Sequence, residues 1–410
     1  MNTAKEKPLR TIGVICEFNP FHNGHAHLLD EAHKLADCVV CIMSGRTVQR
    51  GTFAVADPYI RAEIALLGGA DLVLELPFPW SSGSAAYFAS AGVHILTSLG
   101  VDAILFGSEC GSLPLLRQAA ELVRTSDFVN HYTALCQAGI GTATAYRQAL
   151  QDILPDVDLG ANDLLGAAYL EAVMAQNSPL IPYTICRMGD GYHEAALHKE
   201  RYPSATALRA CMEATSDTAA LEGILTDTMP SPCLERLLTA VKQGDAPVCS
   251  NRLPDMALLA CRTYDAADLT DIAELSGGLS DRMIKQARKT VDGQMFFDSL
   301  RTRLYPDARL CRGMLFALTR TRSEDLAATP SYTTVLGATA VGCSFLSSLR
   351  RGNIDLTIVT KAADAPDGRQ KELTDRVDAL FSLCLPTSRH AGWLMQKSPC
   401  IDAGNRKTSS

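Results

Sequence analysis

The chain has 410 residues, enough for two or three domains and a substantial core. At 47% hydrophobic and 20% charged residues it has the composition of an ordinary globular protein, and no apolar run reaches membrane-spanning length without a charge. A net charge of −7 excludes a protein wrapped in positive potential, and fourteen singly scattered cysteines point to reduced thiols in the cytoplasm rather than a disulfide scaffold.

The N-terminal ten residues have no apolar signal core, so neither a membrane nor an export route is expected. Short apolar runs predict strands at 11–17, 37–43, 71–75 and 102–107, with helices near 24–36, 58–68 and 84–98. That alternation is the pattern of a parallel α/β sheet of Rossmann-like type, whose ligands bind beyond the carboxyl ends of the strands. Those ends carry residues 18–25 (FNPFHNGH), Ser44-Gly45-Arg46, Glu75-Leu76-Pro77 and Phe106-Gly107-Ser108-Glu109. Helical material fills 112–175 and a further strand is expected at 180–186. Cys38 and Cys41, the one close cysteine pair, face opposite sides of a predicted strand, so no shared metal is expected.

From about residue 215 the strand signals stop, and 215–325 look helical throughout. Between Arg282 and Arg322 ten Arg or Lys stand against three Asp. Such a run serves either as a solvated helical face or as a local patch for nucleic acid. Thr329-Pro330-Ser331 marks a break. Beyond it a strand at 332–336, a helix at 338–350 and a strand at 354–359 suggest a small α/β appendage. The expected division is therefore a nucleotide-binding domain at 1–214, a helical, locally basic section at 215–328, and a C-terminal α/β domain at 329–410.

The most informative segment is the octapeptide at 18–25. It places His22 and His25 where the first strand becomes a helix, a position that favours anions because free N–H groups and the positive helix end point outward. Gly24 admits a phosphate close to the backbone. The chemistry suited to the site is nucleotidyl transfer, in which charge on departing pyrophosphate is stabilised. A second segment, Ser204-Ala-Thr206-Ala-Leu-Arg209, offers hydroxyls and a guanidinium at a helix start, suited to phosphate, although Ser-x-Thr also serves as a simple helix cap. Gly107 ends a strand where a base or ribose could lie against the backbone. Asn162 opens a helix, and Arg187 leaves a strand into the glycine-rich loop 188–193.

In this order the motifs resemble those of the bacterial tRNA(Met) cytidine acetate ligase family, within the HIGH nucleotidyltransferase superfamily. The likeness takes in the octapeptide, Ser44–Gly51, Gly69–Pro77, Phe106–Glu109, Asn162–Gly166, Arg187–His193, Ser204–Arg209 and Leu380–Leu383, and so spans nearly the whole chain. The resemblance implies a nucleotidyltransferase fold and an ATP site formed by Ile15, Cys16, Glu17, Phe18, Asn19, Pro20, Phe21, His22, Asn23, Gly24 and His25 with Gly107, Asn162 and Arg187. It implies that acetate is activated by ATP, with Mg²⁺ accompanying the nucleotide, to acetyl-adenylate and pyrophosphate, and that N4 of the wobble cytidine of elongator tRNA(Met) is then acetylated. His22 and His25 are the expected catalytic residues, with Ser204, Thr206 and Arg209 closing on the phosphates. Arg301, Arg303, Arg309 and Arg312 are the expected tRNA contacts. Four positions at three places depart from the family pattern: Arg46-Thr47 in place of Asn-Phe, Asp163 in place of a second Asn, and Cys186 in place of Lys. Two other readings stay open, an adenylyltransferase of a small phosphorylated metabolite and a non-catalytic nucleotide- or RNA-binding protein.

Overall fold

A computed structural model describes residues 9–155, 158–187, 204–215, 217–350 and 354–402. The glycine-rich loop after Arg187 and the polar tail from 403 lie outside the described residues. Strand β1 (Leu9–Cys16) lies parallel to β2 (Ala36–Ser44) on one side and β4 (Ala103–Ser108) on the other, with β3 (Leu72–Leu76) beyond β2 and β5 (Ile181–Cys186) beyond β4. Helices α1 (Asn23–Leu35), α2 (Pro58–Leu67) and α3 (Ala85–Ser98) make the crossovers. Both faces of the central strands are covered. The runs in β2 and β3 are accordingly buried almost without a break, as parallel strands between helix layers must be. Gly13 in β1 lets α3 approach: a Cβ there would come within 2.4 Å of Leu96 Cδ2.

Strand β1 is the switch point of this sheet, since the chain moves from it to β2 on one side and later places β4 on the other. A crevice opens beyond its carboxyl end. Helices α4 (Leu113–Leu122), α5 (Ser126–Gln137), α6 (Thr142–Ile153) and α7 (Ala161–Ala175) cover the β4–β5 side. Helix α8 (Ala205–Ala214) then leads into α9 (Thr218–Leu225), α10 (Ser231–Lys242), α11 (Arg252–Thr263), α12 (Leu279–Ala287), α13 (Gly293–Leu300), α14 (Asp307–Thr319) and α15 (Ser323–Ala327). This section agrees with the helical expectation for 215–325. It is not a separate lobe on a tether: one hydrophobic cluster runs from Val14 and Phe18 through Leu208 and Leu237 to Phe316 and Phe381.

The C-terminal elements carry the sheet across the expected boundary at 329. Strand β6 (Tyr332–Thr339) pairs antiparallel with β3, and β7 (Thr357–Val359) and β8 (Cys400–Asp402) pair with β6. All eight residues of β6 are buried. Trp80 Nε1 donates to Ala328 O at 2.8 Å and Thr333 Oγ1 to Glu75 O at 2.7 Å, fastening the junction. The 329–410 segment thus completes the first domain's sheet, where its local pattern suggests a small sheet of its own. Periodicity identifies a strand but not the edge it joins. Helices α16 (Ala340–Leu349) and α17 (Arg369–Cys384) finish the chain, α17 packing on α14. No described helix is long and apolar enough to cross a membrane.

Candidate active site

Between β1 and α1 the chain makes a constrained turn. Phe18 is left-handed, φ 44°, a conformation that costs a non-glycine residue roughly 1–2 kcal/mol. Surrounding groups hold it there. Arg61 Nη1 donates to Glu17 O at 2.6 Å, Arg209 Nη1 to Asn19 O at 2.5 Å, and Val55 N to Asn19 Oδ1 at 2.7 Å. Glu17 Oε1 accepts from Gln49 N at 2.8 Å, and Pro20 follows a cis bond. Arg61 is fully buried and also donates to Ala56 O at 3.1 Å and Ser44 O at 2.7 Å. It thereby satisfies carbonyls at the ends of both β1 and β2. Burial lowers its pKa to about 10, so it stays charged at neutral pH.

The two histidines form a reciprocal cap on α1. His22 Nδ1 accepts from Gly24 N at 3.1 Å, and His25 Nδ1 accepts from His22 N at 3.3 Å. Each neutral ring therefore carries its proton on Nε2, the nitrogen not used by the cap. The rings stack with centroids 3.7 Å apart, and the ring centroids of Phe18 and Phe21 lie 4.9 and 5.6 Å from that of His25. Burial, and secondarily the charge of Arg187, push the His22 pKa down to about 3. Burial, His22 and Arg187 shift His25 in the same direction. The site thus presents two neutral N–H donors rather than two imidazolium ions. Gly24 is required by this packing, because a Cβ would fall 2.9 Å from His22 Cε1. Asn23 anchors the turn to the end of α9, its N and Nδ2 donating to Thr228 O and Asp227 O at 2.8 and 2.9 Å. Ile15 and Cys16 lie buried at the end of β1.

The β4–β5 flank brings Gly107, Asn162 and Arg187 together. Arg187 Nη1 donates to Asn162 Oδ1 at 3.3 Å, and a Cβ on Gly107 would touch Arg187 Cγ at 3.0 Å. Glu109 holds the start of α7, accepting from Asn162 Nδ2 at 2.6 Å and Asp163 N at 2.8 Å. The departure at Asp163 has a physical reason: its two oxygens accept from Cys110 N at 3.0 Å and Gly160 N at 2.9 Å, and an amide would supply only one acceptor. Cys186, where the family has Lys, is exposed beside Glu109 O.

Ser204 caps α8, its Oγ accepting from Ala207 N at 3.2 Å, and Thr206 Oγ1 accepts from Arg209 Nη2 at 3.1 Å. This element therefore braces the octapeptide through Arg209. The third departure, Arg46, is buried between Glu75 and Asp378, with Nη2 donating to Asp378 Oδ2 at 3.0 Å. Burial raises the Asp378 pKa to about 6 against the opposing pull of Arg46. Arg61 and Asp378 are positioning residues that sequence reasoning passed over, and Glu75 appears there only as a strand end. For Arg61 a signal existed, a basic residue amid the largely apolar helix Pro58–Leu67. Asp378 lies 332 residues from its partner and has no local signal.

Of the four arginines expected to meet tRNA, three are tied within the fold. Arg301 pairs with Asp298 and Asp307 at 2.8 and 2.7 Å, Arg312 pairs with Glu274 at 2.8 Å, and Arg309 donates to Ser276 O at 2.8 Å. Arg303 is exposed. Lys285, Arg288 and Lys289 are also exposed, and with Asp281 and Ile284 they line a cleft of about 280 Å³ at the end of α12.

A profile of the HIGH nucleotidyl transferases matches residues 9–393. The tRNA(Met) cytidine acetate ligase of Listeria welshimeri is 34% identical over 378 residues, covering 89% of this chain and 92% of its own. That of Acetivibrio thermocellus is 30% identical over 407 residues, covering 94% and 98%. The chain belongs to the tRNA(Met) cytidine acetate ligase family. The crystal structure of apo Thermotoga maritima TmcAL, 26% identical, superposes with a TM-score of 0.87 over 96% of this chain and 100% of its own. The same protein bound with alpha-thio ATP superposes with a TM-score of 0.83 over the same shares. Membership makes the chain a ligase with an ATP site on a HIGH-type nucleotidyltransferase fold.

Proposed function

We propose that this enzyme activates acetate with ATP and transfers the acetyl group to N4 of the wobble cytidine of elongator tRNA(Met). The observation that carries the reading is the pair of neutral, Nε2-protonated imidazoles at the head of α1, faced by Arg187, in a chain that aligns along most of its length with ligases of that name. ATP lies across the end of β1, with its nucleoside toward Gly107, Asn162 and Arg187 and its phosphates toward His22, Gly24 and His25. An acetate oxygen attacks the α-phosphorus in line; the bond from the α-phosphorus to the α,β-bridging oxygen breaks, giving acetyl-adenylate and pyrophosphate. The two Nε2–H donors and the N-terminus of α1 stabilise the leaving charge, and catalysis is mostly positioning plus electrostatics. The cytidine amine then attacks the acetyl carbonyl, loses a proton, and AMP leaves.

Among the described residues no three His, Cys, Asp or Glu side chains converge, so Mg²⁺ would be held through the nucleotide's oxygens, where it supplies charge neutralisation. We assign ATP chemistry to the chain up to residue 214 and tRNA contacts to 215–328. There Arg303, with Lys285, Arg288 and Lys289, has more charge to spare for phosphates than Arg301, Arg309 or Arg312. The test is ATP–pyrophosphate exchange with a panel of acids, followed by nucleoside analysis of treated tRNA. Acetate-dependent exchange and N4-acetylcytidine are expected. Dependence on a phosphorylated metabolite, or no exchange, would replace the assignment.

A further inference from the structure

The helical section carries a patch of surface that its own packing leaves uncovered. Helix α13 starts hard against α11: Gly293 N donates to Asp255 Oδ1 at 2.6 Å, and a Cβ on Gly293 would fall 2.4 Å from Asp255 N. Two turns along α11, Arg262 donates to Ala287 O at 3.1 Å and to Thr290 O at 2.5 Å, closing the end of α12. Leu259 lies between these two anchors on the same stripe of α11, four residues after Asp255 and three before Arg262. It therefore stands beside Val291, with Met295 a turn further on. Leu259 is 68% exposed, Val291 75% and Met295 50%. One exposed apolar side chain is ordinary; three that adjoin mark a contact surface.

Cations border the patch on one side. Lys289 precedes Val291 by two residues, and the exposed side chains of Lys285, Arg288 and Lys289 make no hydrogen bond or ion pair among the described residues. Other arginines of the section are engaged, Arg262 and Arg282 with carbonyls, Arg301 and Arg312 with carboxylates. Acids are present too. Asp281 shares the cleft at α12 with the three cations, which leaves a local excess of two. Asp255 and Asp292 lie at the opposite border, where each accepts from the first turn of α13. The surface thus runs from cationic through apolar to anionic. A phosphate chain fits only its α12 end. What crosses the apolar centre toward the acids is uncharged and flat-faced, and the exocyclic amine of a base donates to such carboxylates. A duplex keeps its bases stacked and paired inside, whereas an unpaired loop presents phosphates and bare bases side by side.

We propose that this surface holds unpaired nucleotides of the tRNA anticodon loop, with phosphates at Lys285, Arg288 and Lys289 and bases over Leu259, Val291 and Met295. The proposal rests on the RNA substrate argued above and adds contact to bases, hence a preference for single strands that charge alone would not give. The test replaces Leu259, Val291 and Met295 together by glutamine. Kd for an anticodon stem-loop should rise about tenfold, the effect of exposing roughly 60 Å² of apolar surface, with the slope of log Kd against log salt unchanged. Binding of a fully paired RNA of equal length and acetate-dependent pyrophosphate exchange should both stay at wild-type values. Val291→Trp adds a stacking face and should tighten the stem-loop several-fold, a gain that misfolding cannot imitate. Unchanged stem-loop affinity in the triple variant would overturn the proposal and leave the patch to a protein partner. An equal loss for the paired RNA, or a weaker complex with Val291→Trp, would overturn it as well. If wild-type exchange ignores acetate while the two RNAs still separate in this way, the functional reading fails and the surface assignment stands.

Discussion

Each active-site histidine has two tasks that substitution can separate. The Nδ1 atoms cap α1, which leaves the Nε2–H groups for the phosphates. Alanine at either position removes both, so a lost rate could be blamed on a frayed helix. Asparagine at 22 is among the best N-caps, and glutamine at 25 occupies the third helical position, where it completes a capping box. His22→Asn and His25→Gln should therefore keep the cap, worth about 1 kcal/mol, and keep the melting temperature within about 2 °C of wild type. Asparagine is too short to place a donor at the reach of Nε2, and a glutamine whose amide is turned back to cap the helix cannot aim its N–H there. Losing one preorganised donor costs on the order of 3 kcal/mol, so acetate-dependent pyrophosphate exchange should fall roughly a hundredfold in each. The alanine variants should show the same rate loss with an added drop in stability. Exchange within a few-fold of wild type in the cap-retaining variants would show that the imidazoles only cap the helix, and the mechanism would go with it.

Arg187→Ala removes the charge beside both rings and the bond to Asn162; KM for ATP should rise, and the His22 pKa, followed by NMR, should move up from about 3. Because the folded His22 pKa lies below the ordinary histidine value of about 6.5, the unfolded chain binds the extra proton as pH falls from there toward 3. Wild type should then lose up to about 1.4 kcal/mol of stability per pH unit relative to His22→Asn in urea titrations, and a parallel pair of curves would refute the burial. Arg46→Met strands Glu75 and Asp378 in the core and should cost about 3–5 kcal/mol by urea denaturation; a cost below 1 kcal/mol would mean that the cluster is hydrated. Replacing Lys285, Arg288 and Lys289 by glutamine should flatten the salt dependence of tRNA binding by about three units, while Arg301→Gln and Arg312→Gln should leave it unchanged. The opposite ranking would return the interface to the arginines of α13 and α14.

The sequence carried most of the nucleotide domain because parallel strands announce themselves: 11–17 became Leu9–Cys16, and 84–98 became Ala85–Ser98. The octapeptide was legible for a related reason, since its residues lie adjacent in the chain and in space. Arg187 and Asn162 came from the family resemblance, and their 3.3 Å contact was not readable from either position alone. Net charge proved a poor guide to the helical section. Arg301 and Arg312 look basic in the chain, yet their acids sit at Asp307 and Glu274, and only the fold shows which cations are already paired. Arg46 stayed opaque for want of any local cue to Asp378.

The antiparallel strand at the edge of the sheet also has a consequence for biosynthesis. Strand β3 is buried at all five positions and apolar at four, and its outer edge is covered only when β6 arrives. Roughly 250 residues separate the two, so at about 5–20 residues per second the edge stays open for on the order of 10–50 s of translation. During that interval the nascent chain offers an unpaired hydrophobic strand, the feature most prone to wrong pairing between chains. A messenger truncated near residue 328 would leave that edge open permanently, and its product should aggregate although every residue assigned to ATP is present. The last eighty residues thus act on the nucleotide domain much as a chaperone would, but in cis and at the end of synthesis.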